Sequence, residues 1–261
     1  MCLILFALEQ HPDFPLVLAA NRDEFYRRPT LPMHWWQDQD LLAGRDQLSG
    51  GTWLGVTPSG IVTAVTNVRE SSQAPGVKSR GELPIRGLTP DLDNLESRLC
   101  QDSTAYSGFN LVRLAGNSGW YFSNRDSHPG RYLHRGVYGV SNHLLQSPWP
   151  KLVKLRRELA QLLAPKTAPS ADTLHSTLLE RLHDRTPAPD SMLPDTGVGI
   201  ATERFLSSPF IASDDYGTRA TTIVTINGTG EVRVTEQTWH ERGHPGELLR
   251  FCWQKSSDQS D

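Results

Sequence analysis

Apolar positions in this chain gather mostly into short runs closed by turn residues. The first, residues 2–8 (CLILFAL), is apolar on both faces, as expected of a strand covered on both sides. His11-Pro12-Asp13 supplies a turn, and a return strand over 16–20 stops abruptly at Asn21-Arg22-Asp23-Glu24. Arg27-Arg28-Pro29 breaks regularity, and the stretch to Gly44, with Trp35 and Trp36, reads as an irregular loop. Residues 50–56 lead into a second hairpin that turns at Pro58-Ser59-Gly60 and returns through 61–66 to Asn67. Residues 69–86, rich in Ser, Gly and Pro, read as a long surface loop, and 92–99 as a helix begun after Pro90-Asp91.

Strands are expected again at 110–114 and 119–122 around Gly116-Asn117-Ser118, and at 132–134 and 137–141 as a hairpin across Arg135-Gly136. In 151–163 the apolar residues Leu152, Val153, Leu155, Leu159, Leu162 and Leu163 take helical spacing, and Pro165 ends the helix. A second helix is expected over 171–183 with Ser170 as its cap. After a Pro-rich acidic loop at 186–195, strands at 211–213, 219–226 and 231–236 close the domain, the last two across Asn227-Gly228. Residues 254–261 form a polar tail after a single domain over 1–253. Strands that follow one another, rather than alternating with helices, predict an α+β fold of mainly antiparallel sheets. Strands buried on both faces need a layer on each side, which predicts two sheets sandwiched between helices.

Composition narrows the possible functions. The 261 residues carry 26 basic and 29 acidic side chains spread along the chain, a net charge of -3, which argues against a dedicated nucleic-acid binder. The cysteines Cys2, Cys100 and Cys252 are far apart and form no CxxC, as expected of free thiols in a reducing compartment. The run at 2–8 has no basic residues before it and no small-residue cleavage site after it. No stretch approaches the ~20 apolar residues of a membrane helix. The expectation is a soluble, cytoplasmic protein that handles a small molecule.

Dinucleotide, P-loop, HExxH and GxSxG signatures are all missing, and the nine histidines lack metal-ligand spacing. Cys2 stands out by position. Excision of Met1 would leave its thiol beside its own α-amine, whose reference pKa of ~7.7–8.0 suits a general base near neutral pH. The thiolate would be the nucleophile. Buried cysteines more often act simply as small apolar residues. If the first two strands pair, the end of the second lies beside Cys2, and strand alternation leaves two arrangements open. Pairing of 2 with 21 presents Asn21, with Asp23, to the sulfur as hydrogen-bonding groups. Pairing of 2 with 22 presents Arg22, with Glu24, and an arginine there stabilises a thiolate.

The blocks MCLILFAL, AANRDEFYRRPT, GGTWLGV, TAVTNVRE, FNLV, GVSN, WPK and YGTRATT occur in this order along nearly the whole chain. In these blocks the sequence resembles the NRDE family, also called transport and Golgi organisation protein 2-like. That resemblance implies the four-layer αββα sandwich of N-terminal nucleophile hydrolases, with bile-salt hydrolases and penicillin V acylases as the nearest analogy. It implies Cys2 as nucleophile, Asn67 and Asn142 as pocket asparagines, and Arg219 as a later site arginine. The chain departs from those hydrolases in one respect. They read Arg-Asn-x-Asp where this chain reads Asn21-Arg22-Asp23-Glu24, which shifts the arginine by one position.

Two functions follow as expectations. One is an N-terminal-cysteine hydrolase of an amide or related acyl bond, which requires no cofactor. The other is a non-catalytic binding or trafficking protein for haem or an acyl-lipid such as acyl-CoA, as the resemblance also implies. No CxxCH and no axial histidine or tyrosine can be singled out for haem. Trp35, Trp36, Trp53 and Trp149 are candidates to line an apolar pocket. The stripes of the two mid-chain helices are read as packing on the sheets rather than as a partner-binding surface.

Overall fold

The computed structural model describes residues 2–70, 76–165, 167 and 169–256. Met1, positions 71–75 of the surface loop and the tail beyond 256 lie outside the described residues. The opening hairpin forms as its apolar runs predict: β1 (Cys2–His11) pairs antiparallel with β2 (Phe14–Phe25). β3 (Thr30–Trp35), β4 (Leu42–Asp46), β5 (Leu54–Val56) and β6 (Val62–Asn67) follow. Next come α1 (Leu83–Arg86), α2 (Leu92–Asp102), β7 (Phe109–Ala115), β8 (Ser118–Ser123), β9 (Gly130–Leu133) and β10 (Gly136–Val140). The chain continues through α3 (Pro150–Leu162), α4 (Ala171–Leu182), α5 (Ile200–Phe205), β11 (Tyr216–Ile226), β12 (Glu231–Trp239) and β13 (Pro245–Gln254).

These strands build two antiparallel sheets. Sheet A has the order β10-β1-β2-β11-β12-β13, and sheet B runs β3-β4-β5-β6-β7-β8-β9. Alternation along β1 and β2 divides their side chains. Ile4, Phe6, Leu8, Leu16, Leu18 and Ala20 pack between the sheets with residues such as Val112 and Leu114. Leu3, Leu5, Ala7, Val17 and Ala19 face the other way, against Leu152, Leu155 and Leu159 of α3 and Leu174, Leu178 and Leu182 of α4. The helical stripes are therefore spent on sheet A. Beyond sheet B, Leu83, Leu95 and Leu99 of α1 and α2 join the cluster of Phe109, Trp120 and Phe122. The four layers are helix, sheet, sheet, helix.

The structure corrects several expectations. Residues 132–141 do not make a hairpin. β9 joins sheet B beside β8, while β10 crosses to sheet A and covers the free edge of β1, whose row of unpaired backbone groups needs a partner. The supposed loop at 30–44 contains β3 and β4, which extend sheet B at its edge, the usual place for a strand carrying a proline such as Pro32. Residues 245–254, for which no element is expected, form β13, which takes in only Gln254 of the expected tail, and its Leu249, Phe251 and Trp253 alternate against the core. Residues 211–213 are not a strand. Ser170 does cap α4, its hydroxyl accepting the Thr173 N–H at 3.2 Å. No helix among the described residues is long and apolar enough to cross a membrane.

Two buried ionisable groups tie the layers together. His175 on α4 has Nδ1 at 2.8 Å from Thr235 Oγ1 and Nε2 at 2.9 Å from Thr225 Oγ1, and burial lowers its pKa to about 4. Glu236 on β12 lies between the sheets, accepting the Met33 N–H of β3 at 2.7 Å, and burial raises its pKa to about 7. Folded His175 refuses a proton that the unfolded chain takes up, so its effect is a loss of stability as pH falls from 6.5 towards 4. Folded Glu236 keeps a proton that the unfolded chain releases, so its effect is a loss as pH rises from 4.5 towards 7. Each amounts to at most about 3 kcal/mol, and the two oppose one another. His175→Gln is expected to leave stability falling with rising pH, and Glu236→Gln to leave it rising. Urea denaturation across that window measures both slopes.

Candidate active site

The ladder between β1 and β2 pairs Cys2 with Arg22 and Leu3 with Asn21. Of the two registers the sequence allows, this one puts Cys2, Arg22 and Glu24 on the face towards sheet B. A pocket of about 260 Å³ opens there, lined by Cys2, Arg22, Glu24, Asp46, Trp53, Asn67 and Arg80 among others. Arg22 bridges the sheets: its guanidinium donates to Asp46 Oδ2 at 3.3 Å and to Thr30 Oγ1 at 3.3 Å, and lies 4.2 Å from the Trp53 ring centre. Gly44 makes room for that ring, since a Cβ there would stand 2.2 Å from it. Arg28 closes the group, with Nε at 2.5 Å from Asp46 Oδ2. Burial pushes the Asp46 pKa up, but hydrogen bonds from Arg28 and the Ser49 N–H outweigh it and hold the carboxylate below its ordinary range.

Cys2 is only partly covered, yet its thiol sits in a poorly solvated place, and burial raises its pKa. The Arg22 charge and a hydrogen bond from the Asp23 backbone N–H oppose that shift without reversing it. The Cys2 thiol is thus neutral at rest, and forming its thiolate requires a base to take the proton.

Asn21 and Asp23 serve the opposite face. The Asn21 amide donates to the carbonyls of Leu182 at 2.9 Å and Pro209 at 3.0 Å, and its oxygen accepts the Thr221 hydroxyl at 2.7 Å. It fastens the end of α4 to sheet A instead of facing the sulfur. The Asp23 carboxylate accepts the Thr218 hydroxyl at 2.7 Å, and burial raises its pKa against the pull of Lys151, Thr218 and Arg22. Lys151 is itself buried, donates to Leu206 O at 2.8 Å, and has its pKa lowered to about 8, chiefly by desolvation. Arg69 pairs with the buried Glu203 and stacks 4.7 Å from the Trp149 ring centre. A charged layer therefore lies behind Cys2, under the helices.

The remaining expected residues divide. Asn67 lines the pocket, and its carbonyl accepts the Asn142 side-chain N–H at 3.1 Å. Asn142 is fully buried and holds Asn67 and, through its own carbonyl, the Arg69 N–H at 2.7 Å. Arg219 is not brought to the Cys2 pocket. It is the extra residue of a bulge between Thr218 and Ala220, and its Nη1 donates to the carbonyls of Phe25, Tyr26 and Arg28. It braces the turn after β2 and lines a neighbouring cavity with Glu236 and Trp239. Of the tryptophans, Trp53 lines the pocket, Trp36 is core, Trp35 packs on Trp253, and Trp149 lies beneath Arg69. Sequence reasoning missed Arg28, Asp46 and Arg80. The adjacent Gly50-Gly51 was the available signal, because Gly51 lies where a Cβ would meet the Gly81 carbonyl at 2.3 Å.

Fold and site together define an α+β sandwich whose first strand presents a cysteine at a charged pocket between the sheets. The chain belongs to the Transport and Golgi organisation 2 family, whose model matches residues 1–241. The Transport and Golgi organization 2 homolog of Mus musculus is 32% identical, over 91% of this chain and 93% of that protein. The Homo sapiens homolog is 33% identical, over 93% of this chain and 94% of its own length. Among solved structures, the C2A mutant of conjugated bile acid hydrolase from Clostridium perfringens aligns over 100% of both chains with TM-score 0.47 and 7% identity. A Caenorhabditis elegans ortholog of N-acylethanolamine-hydrolyzing acid amidase covers 85% of this chain and 92% of its own, with TM-score 0.42 and 10% identity.

Removing Asp46 strands two guanidinium groups, one of them almost fully buried. Asp46→Ala is expected to lower the unfolding free energy by about 3–5 kcal/mol, as for other buried pairs that lose one partner. Urea denaturation at neutral pH measures the loss.

Proposed function

We propose that this protein is a hydrolase of an amide or related acyl bond with Cys2 as nucleophile. The observation that carries the reading is the pairing of Cys2 with Arg22 at the pocket between the sheets, with the Asp23 backbone N–H on the sulfur. After Met1 is excised, the α-amine of Cys2 takes the thiol proton as the sulfur attacks the carbonyl carbon. The tetrahedral intermediate collapses as its C–N bond breaks, and the α-ammonium returns the proton to the leaving amine. Water then cleaves the thioester, releasing the acid and restoring the thiol. Asn67 is the pocket residue suited to donate a hydrogen bond to the oxyanion, with Asn142 holding its backbone. Raising of the thiol pKa by burial supports the need for a base so close at hand.

The haem reading fits these residues poorly. The pocket is small and charged, with no histidine, tyrosine or methionine among its described lining residues, and lacks a broad apolar slot for a macrocycle. An acyl-lipid carrier remains the competing outcome of the test.

Intact mass measurement of the native protein is expected to show Met1 removed. A panel of N-acyl amines, N-acyl amino acids and acyl thioesters is expected to contain a substrate whose turnover falls at least about 10³-fold in Cys2→Ala. A retained Met1, or full turnover by Cys2→Ala, would sink the mechanism. Saturable acyl-CoA binding that survives in Cys2→Ala, without turnover of any panel member by the wild type, would favour the carrier.

A further inference from the structure

The cations around Cys2 are not equally engaged. Arg22 and Arg28 share Asp46, and Lys78 pairs with Asp102 at 3.0 Å. Arg80, which also lines the pocket, donates from Nη1 to the Gly108 carbonyl at 3.1 Å, and no carboxylate among the described residues lies within ion-pair distance of it. Its place is nevertheless fixed. The Ser79 hydroxyl accepts the Gly81 N–H at 3.2 Å, the Thr52 N–H donates to Gly81 O at 2.9 Å, and Gly51 lets the two backbones touch. Arg80 is thus a half-buried guanidinium that lines the pocket, held by one backbone carbonyl and with no further side-chain hydrogen bond among the described residues. Glu24, another acid of the pocket, accepts the Phe25 N–H at 2.9 Å and pairs with Arg28 at 3.9 Å.

A guanidinium fork of this kind matches the two oxygens of a carboxylate or phosphate. We propose that Arg80 binds an anionic group of the molecule whose carbonyl reaches Cys2, so that the pocket selects acyl compounds bearing a negative charge near the bond to be cleaved. The proposal rests on the reading of Cys2 as the reacting group, and gives that site a substrate class. Arg22 is unsuited to the same task because its donors are spent on Asp46 and Thr30.

Iodoacetate and iodoacetamide are near-isosteric and differ by one negative charge. Each alkylates a thiolate by displacement of iodide. Their rate ratio at Cys2, followed by peptide mass mapping, therefore reports anion binding beside the sulfur, and any change in thiolate fraction cancels from it. Cys252, an exposed thiol on β13, is the internal reference. Arg80→Gln is expected to lower the ratio at Cys2 about fivefold or more, and Arg80→Lys much less, with Cys252 unmoved. Acetate or inorganic phosphate is expected to slow carboxymethylation of Cys2 in the wild type but not in Arg80→Gln, and whichever protects at lower concentration identifies the anion. An unchanged ratio in Arg80→Gln, an equal fall at Cys252, or a Cys2 that neither reagent reaches overturns the proposal. Alkylation needs only the thiol, so a protein without hydrolytic turnover can still show the preference, and an active hydrolase can lack it.

Discussion

Everything at this site depends on one pairing, Cys2 opposite Arg22 on neighbouring strands. A shift by one residue would turn Arg22 under the helices and bring Asn21 to the sulfur. The register is held from both sides of the sheet. Leu16, Leu18 and Ala20 are needed between the sheets, and Val17 and Ala19 against the helices. At the far end, the Arg22 guanidinium is caught by Asp46 of the other sheet. Hydrophobic alternation thus fixes which face the arginine takes, and the ion pair fixes how far apart the sheets stand where the pocket opens.

That arrangement has an electrostatic consequence. A positive charge opposite a cysteine ordinarily favours the thiolate, but Arg22 is already shared with Asp46, and the surroundings of the sulfur are poorly solvated. Burial wins, and the thiol stays protonated at rest. The same excess of burial over pairing acts on Asp23, Lys151 and Glu236, each pushed towards its neutral form. The interior near the pocket is rich in ionisable groups that hold less charge than their number suggests, which is compatible with packing so many of them behind one strand.

The layered architecture was legible because its signals are local. Runs of apolar residues, turn dipeptides and the stripe on α3 each point to an element independently of the others. β3 and β13 were hidden by edge-strand chemistry: they carry Pro32 and Pro245, residues tolerated where one side of a strand has no partner but absent from the interior-strand pattern. The apparent hairpin at 132–141 was misread because sheet membership is a long-range property. Nothing near Arg135-Gly136 says that β10 will cover the edge of β1. The site was half legible for a similar reason. Cys2, Arg22 and Asn67 lie on strands, where alternation restricts where each can point. Arg80 lies in a segment read as surface loop, and contacts distant in sequence, of Gly81 with Gly51 and of Arg80 with Gly108, bring it inward.

The four residues from Asn21 to Glu24 show how one short strand segment serves two layers. Arg22 and Glu24 line the pocket, whereas Asn21 reaches the end of α4 and the Pro209 carbonyl, and the Asp23 carboxylate reaches Thr218 of β11. Asn21 alone contacts the end of α4, the carbonyl of Pro209 and β11, joining three segments distant in sequence. Because successive residues of a strand cannot slide independently, the hold of α4 on Asn21 and of Thr218 on Asp23 also sets the depth of Arg22 and the N–H that Asp23 offers to Cys2. The scaffold half of the motif is therefore a positioning device for the pocket half. The hydrogen bonds under the helices bear on the chemistry at the sulfur although none of those side-chain contacts is made inside the pocket.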